Sequence, residues 1–100
     1  TGGSQQAGTL PVVIVSRDAL NESIAIVVVV PCTTLTSDKT VYANQAVLVA
    51  PEGGLGRDSI VPCEQVRALS KTRVLRKRGQ LSPRALAAVD RALAITLDLD

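Results

Sequence analysis

The run Ile24-Ala-Ile-Val-Val-Val-Val-Pro31 is apolar from end to end, and it constrains what this chain can build more than any other stretch. It falls far short of the roughly 20 residues that cross a bilayer. Most of its side chains are β-branched and suit a pleated surface. A strand apolar at every position needs cover on both faces. Pro11 to Ser16 is a second run of this kind. The chain has no Phe or Trp and one aromatic residue, Tyr42. The core must therefore be assembled from Val, Ile, Leu and Ala.

Around these two runs the pattern predicts a β-rich chain closed by a helix. Thr1 to Thr9 is rich in Gly and Gln and reads as a loop. Pro11 to Ser16 is the first strand, Arg17 to Glu22 a polar connection, and Ser23 to Val30 the second strand, ended by Pro31. Thr33 to Thr40 is a hydroxyl-rich loop, and Val41 to Ala50 a third strand with a polar side. Pro51-Glu-Gly-Gly-Leu-Gly56 is a turn whose glycines imply positive φ or close backbone approach. Ile60 to Leu69 is a fourth strand, in which Pro62 implies an edge position or a bulge. A short fifth strand lies around Thr72 to Leu75. Ser82 is a fitting N-cap and Pro83 a fitting first-turn residue. Leu86, Val89, Leu93 and Leu97 follow at helical spacing as one apolar face, with Asp90 and Arg91 pointing away.

One hundred residues make one domain, spanning 1–100. At this size a partner subunit would help to bury surface. The net charge of +2 is too small to argue for nucleic acid. With no His in the chain, imidazole catalysis and His-ligated metal sites are excluded. Cys32 and Cys63 are too few and too far apart for a zinc site. They read as small buried hydrophobes rather than a disulfide, which points to a reducing cytoplasm. No signal peptide is visible at the start. Lys71, Arg73, Arg76, Lys77 and Arg78 form a basic run that reads as a solvated face, or as a rim attracting phosphate. No aromatics interleave with it to stack bases.

Four blocks in order carry a family resemblance. Ser4-Gln-Gln-Ala-Gly-Thr-Leu-Pro-Val-Val-Ile-Val-Ser16 follows G-S-x-Q-x-G running into R-P-V-x-V-V-S. Val30-Pro-Cys-Thr-Thr34 matches a strand end with a Thr shortly after Pro. Gly53 to Arg67 follows G-G-L-x-x-D-S-x-V-x-x-x-Q-x-R, and Gly79-Gln-Leu-Ser-Pro83 opens G-x-L-S-P-x-x-x-x-x-V-D-x-A-L. Together they resemble the MazF/PemK family of toxin endoribonucleases. The resemblance implies an α+β, mainly β fold: a small SH3-like barrel of CcdB/PemK type with a C-terminal helix. In the family another strand precedes the Gly-Ser loop. The chain starts inside that loop, so the first strand is expected to be missing.

The function that the resemblance implies is cleavage of single-stranded RNA by a type II toxin, with no metal and no cofactor. The ribose 2′-OH attacks the adjacent phosphate and leaves a 2′,3′-cyclic phosphate and a 5′-OH. Thr33 matches the family threonine. On its residues alone it reads as a strand-end hydroxyl bonded to nearby backbone. Leu10 stands where the family has a catalytic arginine, and an apolar side chain cannot stabilise a developing phosphorane. Loss of one such donor costs about 10²–10³-fold in rate. Leu10 therefore reads as an inactivating substitution, or as a natural variant that still binds RNA or antitoxin. Ser4, Gln5 and Gln6 match the loop bordering the substrate groove, and otherwise read as ordinary surface. Gln65 could read a base edge, and Arg67 could bind phosphate or support the fold. Glu64 is a weaker proton-transfer candidate, while Asp58 and Ser59 read equally as caps of the turn before the fourth strand. The expected partners are a second copy of the chain, a MazE-like antitoxin peptide and single-stranded RNA, with no membrane. The alternatives are a non-enzymatic CcdB-like toxin and an inactive antitoxin- or RNA-binding homologue. The Gln-rich segment and Thr33 favour the ribonuclease.

Overall fold

The computed structural model describes residues 3–7, 10–23 and 25–99. Two antiparallel sheets and one long helix enclose the core. The first sheet has five strands: β1 (Gly3–Ala7), β2 (Leu10–Ile14), β3 (Ile26–Pro31), β7 (Arg67–Ser70) and β8 (Val74–Gln80), in the order β7-β3-β2-β1-β8. The second has β4 (Thr33–Thr34), β5 (Gln45–Leu48) and β6 (Ser59–Pro62), in the order β4-β6-β5. The chain passes between the sheets twice, from β3 through Cys32 into β4 and from β6 into β7. No ladder closes the two sheets into one continuous barrel among the described residues.

The doubly apolar strands behave as their period of two requires. In β2, Val13 joins the main core with Val30, Leu48, Val61 and Val89. Its neighbour Val12 joins a smaller cluster with Val27 and Val29 on the other face of the sheet. The register Val13↔Val30 and Ile14↔Val29 holds the two strands together. Burial on both faces is thus real, and each face has its own cluster. The buried apolar residues are Val, Leu, Ile, Ala and Cys, while Tyr42 is 62% exposed.

Several boundaries differ from those read in the sequence, each for a physical reason. Residues 3–7 form a strand rather than a loop. β1 pairs with β2 on one side and β8 on the other, from Ala7↔Leu10 to Ser4↔Val13. Two-sided pairing satisfies the backbone of a polar segment with low strand propensity. The edge of β2 is therefore paired by β1. The polar connection contains a short helix, α1 (Asp18–Ser23). Ser16, buried and polar, anchors its start: the hydroxyl donates to Asn21 Oδ1, the Ser16 carbonyl accepts from Asn21 Nδ2 at 3.1 Å, and Val28 N–H donates to Ser16 Oγ at 3.0 Å.

The expected fourth strand is two strands in different sheets. Pro62 is the last residue of β6, which is the central strand of its sheet rather than an edge. A 3-10 turn at Cys63–Gln65 then redirects the chain into β7. The expected third strand is confined to Gln45–Leu48, and the fifth extends through Gln80 after a 3-10 turn at Lys71–Arg73.

Helix α2 (Pro83–Leu97) begins as its sequence predicts. Ser82 Oγ accepts from Ala85 N–H at 3.2 Å, and Pro83 occupies the first turn. Glu52, in a 3-10 turn at Glu52–Gly54, ties down the same end. Its two carboxylate oxygens accept from Ser82 N–H at 2.8 Å and Ser82 Oγ at 2.9 Å. The buried stripe is Ala85, Val89 and Ala92, with Leu86 and Leu93 half-buried at its margins and Leu97 exposed. The face is rotated from the leucine stripe because small alanines let the helix sit close on β5 and the 63–65 turn.

Candidate functional site

The crossing from β3 to β4 places Thr33 where two concavities meet. The larger, about 630 Å³, is lined by Leu10, Pro11, Cys32, Thr33, Thr34, Lys39, Leu55, Gly56, Arg57, Ser59 and Arg78. The smaller, about 300 Å³, is lined by Thr33, Lys39, Thr40, Tyr42, Gln45, Ile60, Pro62, Glu64 and Gln65. Thr33 and Lys39 belong to both. Leu10 opens β2 at the wall of the larger one and is 50% exposed.

Backbone geometry explains how the larger cavity is assembled. Gly54 has φ +77°, and a Cβ there would lie 2.1 Å from the Arg78 carbonyl oxygen. A Cβ on Gly79 would lie 2.7 Å from the Gly53 carbonyl carbon. Only glycines allow the turn at 52–54 to rest on β8 this closely. That contact brings Leu55, Gly56 and Arg57 from one side and Arg78 from the other. The expectation of positive φ and close approach in this turn holds at Gly54, whereas Gly56 has open space around it.

The two concavities differ in charge. Lys39, Arg57 and Arg78 line the larger one, and among the described residues no carboxylate does. Such a wall attracts an anion. The Lys39 ammonium donates to the Thr34 carbonyl at 2.7 Å, which draws its charge toward the Thr33–Thr34 strand. In the smaller groove the Glu64 carboxylate accepts from Gln45 Nε2 at 2.9 Å and Asn44 Nδ2 at 3.4 Å. Gln45 Oε1 in turn accepts from Tyr42 N–H at 3.1 Å. These bonds orient the exposed carboxylate along the groove.

Cys32 lies in the cavity wall, but burial pushes its thiol up to about 12, with the nearby Cys63 adding to the shift and Arg78 opposing it. Burial likewise raises Cys63 to about 11. Both cysteines are free, buried thiols, as expected from their apolar surroundings, and neither is poised as a nucleophile. Among the described residues, no group of three or more His, Cys, Asp or Glu is placed to hold a metal.

The structure brings together Leu10 and Thr33 in one cavity, and Thr33, Glu64 and Gln65 along the other. Arg67 is separated from both: it lies on the edge strand β7 opposite Val29. The backbone of Ser4, Gln5 and Gln6 lies in β1, with Ser4 opposite Gly79 and Gln6 opposite Pro11. Their side chains are outside the described residues. Asp58 accepts from Ala50 N–H at 2.9 Å, and Ser59 Oγ donates to the Arg57 carbonyl at 2.9 Å, as the capping alternative requires. Sequence reasoning missed Lys39, Gln45 and Arg57 as cavity residues and placed Arg78 only within a basic run. Gly54 and, directly after Arg78, Gly79 were the available signal for the last.

The model of the PemK-like, MazF-like toxin of type II toxin–antitoxin systems matches residues 1–97. The chain belongs to this family. It is similar to endoribonuclease MazF9 of Mycobacterium tuberculosis, with 35% identity over 102 residues covering 97% of this chain and 85% of the relative. Among solved structures, Mycobacterium tuberculosis toxin MazF-mt6 superposes with a TM-score of 0.86 at 25% identity, covering 98% of both chains. A mycobacterial endoribonuclease in complex with its cognate antitoxin gives 0.85 at 23% identity, covering 99% of this chain and 94% of the other. MazF in a MazE–MazF structure from Deinococcus radiodurans gives 0.80 at 20% identity, covering 100% and 96%. The fold of this family, mainly β with one C-terminal helix, is the fold of this chain. Among the described residues, no helix is long and apolar enough to cross a membrane.

Proposed function

We propose that this chain is a toxin that cuts single-stranded RNA, with Thr33 at the reacting phosphate. One observation carries the reading: a hydroxyl-bearing strand end sits between a cationic cavity with no carboxylate among its described residues and a polar groove holding an oriented carboxylate. Phosphate fits the first and bases fit the second. In the proposed step the ribose O2′–P bond forms and the P–O5′ bond breaks. A proton leaves the 2′-OH, one reaches the departing O5′, and the ends are a 2′,3′-cyclic phosphate and a 5′-OH. The Thr33 hydroxyl donates to a non-bridging oxygen, and Glu64 is the carboxylate available for proton transfer. Gln65, with Gln45, offers amides to base edges. Nothing in this step calls for a metal.

Leu10 removes one donor from this wall and lowers the rate. The chain acts as a homodimer in the cytoplasm, restrained by an antitoxin peptide laid over the concavities. Exposed Leu10 and Tyr42, one in each concavity, provide the apolar footholds. The antitoxin complexes of the structural relatives support this arrangement.

The test is a cleavage assay on a long single-stranded RNA with chelator present, comparing the chain with Leu10→Arg and Thr33→Ala. Faster cleavage by Leu10→Arg, cyclic phosphate ends and loss of cleavage in Thr33→Ala support the proposal. If folded Leu10→Arg protein leaves the RNA intact, the ribonuclease reading fails.

A further inference from the structure

The transition state proposed above gathers negative charge on the non-bridging oxygens, and Leu10 offers that charge nothing. Three cations share the cavity, and they are not equivalent. Lys39 and Arg57 both stand exposed on loop segments, Lys39 after β4 and Arg57 before β6. Arg78 is half-buried and has its backbone located from two directions. The register of β1 on β8 jumps from Ser4↔Gly79 to Gln5↔Lys77, which leaves Arg78 as the extra residue of a bulge. Bulges re-aim a side chain and are over-represented next to active sites. From the opposite side, the Gly54 backbone abuts the Arg78 carbonyl so closely that no side chain fits between them. A cation carried on a fixed sheet position is preorganised, and preorganised charge contributes most at a transition state. Its planar fork also matches two phosphate oxygens, which an ammonium does not.

We infer that Arg78 supplies from β8 the guanidinium that Leu10 lacks, binding the scissile phosphate beside Thr33. The inference rests on the ribonuclease reading. Arg78 exchanges no proton and forms no covalent bond; it neutralises the non-bridging oxygens while O2′–P forms and P–O5′ breaks. The chain with Leu10 therefore retains a slow cleavage that depends on Arg78, and the two positions substitute for each other.

Four proteins test this in the same chelated assay: the chain itself, Arg78→Gln, Leu10→Arg, and Leu10→Arg with Arg78→Gln. The expected loss for Arg78→Gln is about 10²–10³-fold with Leu10 present, and less than about tenfold with arginine at position 10. An equal loss in both backgrounds means that Arg78 only supports the fold, and overturns the inference. No loss in either also overturns it. Cleavage by Leu10→Arg alone, with none by the unaltered chain, overturns it while leaving the ribonuclease reading intact. If no version cuts, that reading falls first. A binding measurement separates charge from folding. With an oligonucleotide carrying 2′-deoxyribose at the scissile position, Arg78→Gln should flatten the slope of log K against log salt by about 0.7, one phosphate contact. Arg78→Lys should keep the slope. An unchanged slope in Arg78→Gln overturns the inference.

Discussion

Replacing Gly54 by alanine puts a methyl group where backbone already stands. The new Cβ would lie 2.1 Å from the Arg78 carbonyl oxygen, 2.7 Å from its carbon and 3.3 Å from Gly79 N. These atoms belong to β8 and cannot swing aside as a side chain would. Overpacking of this kind costs about 1–3 kcal/mol. The left-handed φ of +77° adds about 1–2 kcal/mol for a residue with a Cβ. The sum is about 2–5 kcal/mol, a large part of the ~5–15 kcal/mol that stabilises a typical domain. For a domain of this size each 1 kcal/mol moves Tm by about 4–8 °C, so Gly54→Ala should melt at least ~8 °C lower. Gly56→Ala is the internal control. Nothing lies within 4 Å of its added Cβ, and its stability should stay within about 0.5 kcal/mol of the parent. Urea unfolding at one fixed protein concentration measures both. A Gly54→Ala loss below about 1 kcal/mol, or equal losses in the two variants, would refute the claim that the 52–54 turn rests directly on β8.

The tie between Glu52 and the start of α2 makes two further predictions. Ser82→Ala removes both the cap to Ala85 N–H and one bond to Glu52, and should cost about 1–2 kcal/mol in urea unfolding; no measurable change would rule out the cap. The Ser82 N–H, followed by its hydroxyl, holds the Glu52 carboxyl below its ordinary value of 4.5. Its stabilisation is complete above that value and disappears as pH falls through the lower folded one. Glu52→Gln should therefore flatten the stability profile below pH 4.5, and an unaltered acid limb would count against the tie. The cysteines work in the opposite direction. Burial raises Cys32 to about 12 and Cys63 to about 11 from 9.0, so the stability linked to the neutral thiols is full below pH 9 and falls as pH climbs past it. At pH 8 iodoacetamide should label neither thiol in the folded chain and both in guanidinium; rapid labelling of the native protein would contradict their burial.

The site was legible in the sequence only in part. Leu10 and Thr33 were named from motif position, and the structure does place them on one cavity. Their neighbours Arg57 and Lys39 come from loops whose paths depend on the crossing of the two sheets, and no periodicity marks such residues. Arg78 differed from Lys77 and Arg76 in the basic run only by the glycine that follows it, because the bulge opposite β1 that singles it out is a tertiary feature. Arg67, two residues after Gln65, follows the chain into the other sheet once the 63–65 turn intervenes. Proximity in sequence failed there because the 3-10 turn at Cys63–Gln65 redirects the chain out of β6.

Local chemistry alone determined the parts of this protein that depend on near neighbours. The apolar runs had to be strands with both faces covered, Ser82 and Pro83 had to start a helix, and a turn with three glycines had to contain a left-handed residue or a close approach. Tertiary structure decided the rest. Residues 3–7 are a strand because β2 and β8 supply hydrogen-bond partners on both sides, something their own Ser, Gln and Gly side chains would not predict. The run at β6 and β7 became two strands because the 3-10 turn at Cys63–Gln65 carries the chain from the main core, where Val61 packs, to the smaller cluster on the other face of the five-stranded sheet, where Leu69 packs. The cationic cavity exists because two glycines let a distant turn press against β8, and that contact is between backbones, where the identity of side chains leaves no periodic trace.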